Sequence, residues 1–276
     1  MTTRVNPLPG LTGLGKNSLP GLISPSPLTT YVKVVVLSDS SGVWTVPSNA
    51  IGPCVIEAWG PGGNGGTGTG DPAFNAGGNG AAGGGSGALG VFTTKLLSAG
   101  AQISYTIGQS SGNSTTILGG TANSGGNASG ATAGTGGTAS GFDVNITGSA
   151  GGATASQYQT NQTFTASSGS SGTNAISNGG FRGWGFASSS GSFAVRPGGG
   201  GAGAPSWEYS PVGGGAGGNG GSAFSAPSVS KNDIGSAGFA PGGGGGGGGT
   251  TNQGAESAGG SGAAGRIRIT YSAMTS

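Results

Sequence analysis

The chain has 276 residues, of which 70 are glycine and 14 proline, while charged residues make up only 6%. Nine basic against seven acidic side chains leave a net charge of +2, which excludes strong attraction to nucleic acid or to an anionic membrane surface. With no histidine and a single cysteine, Cys54, the chain can build neither an internal disulfide framework nor a Cys/His metal site. No cofactor is expected. The N-terminus lacks the apolar core of a signal peptide, and no apolar run is long enough to span a bilayer. Membrane insertion is therefore not expected.

Residues 1–30 form a first segment, an extended arm. It carries Leu8-Pro-Gly-Leu11 and Leu19-Pro-Gly-Leu22, with prolines at positions 7, 9, 20, 25 and 27. Prolines so spaced forbid a regular helix and disfavour a central strand. Leu8, Leu11, Leu19 and Leu22 have no local core to enter, so the arm is read as an anchor lying in a groove of another protein. An unanchored tail is the alternative.

From residue 31 to 276 the text is that of one domain. Tyr31–Leu37 is a β-branched run of strand length. Val43–Pro47 and Cys54–Trp59 read as further strands, the second leading into the first glycine burst. Leu89–Leu97 and Gln102–Ile107 read as a hairpin pair joined by Ser98-Ala-Gly-Ala101. Ser114–Leu118 is short, and Phe142–Thr147 and Arg266–Tyr271 alternate apolar and polar residues. No window has helical spacing, so almost no α-helix is expected. The final strand is expected to pair with the early ones and close a small antiparallel β-sandwich. Its core is assigned to Val34, Val36, Trp44, Val55, Ile56, Trp59, Val91, Phe92, Ile103, Tyr105, Ile107, Val144, Ile146, Ile267, Ile269 and Tyr271. Cys54 is read as a small core residue.

Between the strands lie glycine bursts, the purest being Pro241 followed by eight glycines. Glycine loses the most backbone entropy on folding and brings no side chain to bury. Such tracts stay disordered or order by hydrogen-bonding to each other. Disorder goes with high net charge, which this chain lacks. Polyproline-II helices have three residues per turn and no internal hydrogen bonds, so closely packed neighbours can satisfy one another. The bursts lack the strict Gly-X-Y period of collagen. The expected fold is all-β: a small antiparallel sandwich combined with a packed bundle of polyglycine, polyproline-II-type helices.

Several stretches resemble a known family. Gly42-Val-Trp-Thr-Val-Pro47 followed by Val55-Ile-Glu-Ala-Trp-Gly-Pro-Gly-Gly63 is similar to the opening of the glycine-rich domain of bacteriophage tail-fibre and tail-tip proteins. Tyr105-Thr-Ile-Gly-Gln109, the segment Gly136–Gly148 and the closing Gly265-Arg-Ile-Arg-Ile-Thr-Tyr271 resemble its later strands, with Phe142 where a glycine is expected. The layout is also similar to the glycine-rich domain of anaplastic-lymphoma-type receptor kinases, which implies a tumour-necrosis-factor-like or jelly-roll sandwich. The resemblance covers about residues 40–271. It implies a virion surface protein on the tail or capsid: a fibre or fibre-tip adhesin that attaches the particle to its host, docked to other virion proteins by the arm. A structural head fibre or decoration protein without a receptor is the alternative, and a silk-like or antifreeze-type bundle is a third reading.

Catalysis finds little support. Without histidine there is no Ser-His or Cys-His pair, and the seven carboxylates are scattered. Gly-x-Gly-x-x-Gly occurs repeatedly but never in a βαβ context, so the chain is not read as an enzyme. Recognition is instead assigned to aromatic-bearing inserts between the bursts. Tyr158, Phe181, Arg182, Trp184, Trp207 and Tyr209 are the candidate receptor contacts, on a neutral Ser/Thr/Asn/Gln-rich surface suited to a host polysaccharide. The alternative is that these aromatics cap the glycine block or pack subunits together. A homotrimer is expected, from apolar Val34 and Val36 beside Tyr31 and the benefit of hiding strand edges.

Overall fold

The computed structural model describes residues 29–68, 81–153, 234–248 and 257–275, with the backbone of five short strands between 185 and 251. The described residues contain no helix. The strands are β1 (Thr30–Leu37), β2 (Ser41–Thr45), β3 (Ala50–Trp59), β4 (Leu89–Leu96), β5 (Gln102–Thr106), β6 (Ser114–Ile117), β7 (Gly120–Asn123), β8 (Ala139–Ser140) and β9 (Val144–Ile146). The short strands β10 (Gly185–Phe186), β11 (Ala194–Val195), β12 (Ala223–Ala226), β13 (Val229–Asn232) and β14 (Thr250–Thr251) precede β15 (Arg266–Met274).

Two five-stranded antiparallel sheets carry the fold, ordered β1-β15-β3-β4-β9 and β2-β5-β6-β7-β8. The last long strand does pair with the early ones, lying between β1 and β3. Side chains from both sheets meet in one core that includes Trp44, Cys54, Ile56, Phe92, Ile103, Tyr105, Ile117, Ile267, Ile269 and Tyr271. Alternation along the pleat sends Trp59, Leu89 and Val91 to the opposite face of the first sheet, with Val55, Val144 and Ile146 packed beside them.

Two expectations are corrected. Val34 and Val36 are not core residues: they are 54% and 53% exposed. The register pairs them with Thr270 and Arg268, whereas Val35 pairs with Ile269. Since side-chain direction alternates with every residue, Val35 and Leu37 pack on the core and the two flanking valines cannot. Nor do Leu89–Leu97 and Gln102–Ile107 form a hairpin. β4 pairs with β3 and β9, while β5 pairs with β2 and β6. The turn between them changes sheets. It is clasped by Val46, whose N–H donates to Ala101 and whose carbonyl accepts from Gly100. Gly100 has φ +78° with open space around it, so glycine serves there for its backbone conformation.

Beyond the sheets, glycine-rich segments bind each other backbone to backbone. Residues 60, 63 and 66 donate to 88, 85 and 82, and residues 62, 65 and 68 donate to 263, 260 and 257. From the segment 81–88, residues 81, 84 and 87 donate to 248, 245 and 242; residues 82, 85 and 88 donate to 130, 126 and 123; residues 83 and 86 donate to 152 and 149. The direction of the N–H thus repeats every third residue. The separation leaves no room for a side chain. A Cβ on Gly63 would run into the Gly126 carbonyl, and one on Gly85 into that of Thr135. Pro241–Gly248 are all buried.

Candidate functional site

The sequence-assigned receptor contacts Tyr158, Phe181, Arg182, Trp184, Trp207 and Tyr209 lie outside the described residues, as do the arm residues Leu8, Leu11, Leu19 and Leu22. What the described residues do form is a polar groove of about 430 Å³. Ser111 and Gly112 line one part of it, the stretch 123–127 another, and Thr135–Thr138 a third. Among the described residues, no charged and no aromatic side chain lines it.

The end of β7 and the approach to β8 build its walls. Asn123 N–H donates to the Thr138 carbonyl at 3.0 Å, and Gly126 N–H to that of Thr135 at 2.8 Å. These bonds hold the two stretches side by side. The side chains are tied as well. Asn123 Oδ1 accepts from Ser114 Oγ at 2.9 Å, its Nδ2 donates to Thr138 Oγ1 at 3.2 Å, and Ser124 Oγ accepts from Gly112 N–H at 2.9 Å. Asn127 Oδ1 accepts from Asn64 N–H at 2.8 Å, while Asn64 Oδ1 accepts from Gly262 N–H at 2.9 Å. Asn64 and Asn127 therefore supply acceptors where the backbone array offers none. The groove presents fixed hydroxyls, amides and peptide groups without charge, a surface suited to uncharged, hydroxyl-rich ligands. Sequence reasoning passed over these residues, because single Asn, Ser and Thr residues within glycine-rich text look like ordinary polar filler.

The only buried ion pair among the described residues does not line the groove. Glu57 on β3 faces Arg268 on β15, and the Arg268 Nε and Nη2 groups both reach Glu57 Oε2. The Arg268 guanidinium also lies over the Trp59 ring, 5.6 Å from its centroid. This pair sits on the face of the sheet opposite the main core. Cys54 lies within the main core as expected, and burial pushes its thiol pKa up. A buried thiol kept protonated is a poor nucleophile. Among the described residues, no three His, Cys, Asp or Glu side chains come together.

The chain matches no protein-family model, and comparison with curated proteins finds no match.

Proposed function

We propose that this protein is a bacteriophage virion surface fibre or fibre-tip adhesin that attaches the particle to a host-surface polysaccharide. The observation that carries the reading is the interlocked glycine backbone. A hydrogen-bond direction that repeats every third residue, with N–H groups donating mainly to neighbouring segments, is what packed polyglycine-II helices require. We read the glycine segments as such a bundle, held at its base by the sandwich. Such a body is rigid and offers few side chains of its own. Selectivity then falls to whatever side chains the glycine text carries between its bursts. The neutral groove at Asn123–Asn127 and Thr135–Thr138 supports a polyol ligand over a charged one.

In this reading the inserts bearing Tyr158, Phe181, Arg182, Trp184, Trp207 and Tyr209 grip the host. The arm of residues 1–30, through Leu8, Leu11, Leu19 and Leu22, docks to other virion proteins. A structural head fibre without a receptor shares the same rigid body and differs in having no grip. The two are separated by changing Trp184 and Trp207 together to Ala and measuring binding of the folded protein to whole host cells. Binding should fall at least about tenfold, since buried interface aromatics commonly contribute more than 1 kcal/mol each. Unchanged binding points to the structural alternative.

A further inference from the structure

We propose that two copies of this chain pair antiparallel through β1, joining their first sheets into one continuous sheet across a two-fold axis at Val34. β1 is the edge of its sheet. Eight residues long and rich in valine, it presents a row of peptide groups with no strand beside them among the described residues. Long, flat, apolar edges of this kind are templates for pairing, and proteins usually blunt them with proline, bulges or charge. β1 has one lysine, no proline, and an unbroken register against β15. Its outward face adds Val32, Val34 and Val36, which are 69%, 54% and 53% exposed.

The strand's own sequence favours a second copy as the occupant. A two-fold axis normal to the sheet keeps the outward faces on one side, so directly opposed residues must share the same parity. Centred on Val34, the pairing sets Val32 against the partner's Val36, Val34 against the partner's Val34, and Tyr31 against the partner's Leu37. The exposed valines then form a cross-strand ladder, the arrangement in which β-branched side chains pack well. Lys33 meets the partner's Val35. A centre at Lys33 would set two ammonium groups face to face, and a centre at Val35 would shorten the overlap. A net charge of only +2 opposes the pairing little. The three-fold assembly expected from the sequence uses the same valines but cannot pair β1 with itself, because an isologous edge contact requires a two-fold axis.

Light scattering of the full-length protein at micromolar concentration should return twice the 25.5 kDa chain mass. A monomer or a trimer overturns the proposal. Val34→Lys should weaken the dimer roughly tenfold or more, because it opposes two like charges. Val43→Lys, on the exposed edge strand β2, should leave the mass unchanged. If Val34→Lys fails to fold by circular dichroism, cysteine crosslinking decides. Opposed Cβ atoms lie roughly 4.5–5.5 Å apart in such pairs, so Val34→Cys should oxidise to a covalent dimer, while Val32→Cys and Val36→Cys alone should not. Equal crosslinking at all three positions would overturn the register.

Discussion

Glu57 and Arg268 lie directly opposite each other on neighbouring strands, and both are buried. Burying two charges is unfavourable unless they remain together. Arg268 already leaves Nη1 without a hydrogen bond, so it has little to spare. Glu57→Gln should therefore destabilise the fold by about 3–5 kcal/mol, because it leaves a buried guanidinium uncompensated. Replacing both residues with leucine should recover much of that loss. Urea midpoints of the two variants test this: equal midpoints would mean that the pair is not coupled. Cys54 gives a second prediction at this scale. Its folded pKa is raised, so the folded state holds the proton more tightly than the unfolded one. Its contribution is complete below the unfolded thiol pKa, about 8.5, and is lost as pH rises above that value. Thiol-specific reagents should label Cys54 slowly in the folded protein and rapidly in urea, and Cys54→Ala should lose less stability at alkaline pH than the parent.

At the scale of elements, Phe142 shows how the two sheets are closed at one end. Its ring occupies the space a Cβ would take at Gly90 on β4 and at Gly120 on β7, and it packs on Phe92 at 4.8 Å between centroids. Phe142→Ala should remove about 3–5 kcal/mol, the usual range for deleting a buried aromatic, read as a shift in the thermal midpoint. The same residue marks what the sequence revealed and what it concealed. Phe142–Thr147 alternates and was expected as a strand. β9 covers only Val144–Ile146, and Phe142 leaves the sheet to enter the core. Long β-branched runs such as Tyr31–Leu37 were legible because composition and period agree there. Gly120–Asn123, which forms β7, was not, since its small residues carry no β signal and its place depends on pairing with β6. The groove was hidden for the same reason. Residues near 124 and 136 acquire meaning only when hydrogen bonds from elsewhere lay them side by side.

At the scale of the molecule, the sheets and the glycine array are continuous among the described residues. β3 runs through Trp59 into Gly60, which donates to Ala88 at the threshold of β4, and Gly265 donates to Gly108 just before β15 begins. Segment 81–88 leaves no strand of its own, yet its N–H groups serve three different neighbours in turn. An array in which each segment depends on several others cannot loosen locally without freeing peptide groups in all of them, and buried peptide groups without partners are expensive. It should therefore open together with the sandwich. Native-state hydrogen exchange should give the amides of 82–88 and 243–248 opening free energies close to those of β3 and β15, with no separate fast class. Gly85→Ala provides the perturbation. Its methyl meets the Thr135 carbonyl, a backbone atom that cannot swing aside, and the overpacking should cost about 3 kcal/mol or more. Gly100→Ala, strained but unobstructed, should cost only about 1–2 kcal/mol. Gly85→Ala should accelerate exchange at Gly126, Gly134 and Gly245 as well as at its own site. If exchange rises only at residue 85, or if 243–248 exchange freely while β15 stays protected, the glycine segments are an appendage and the sandwich folds without them.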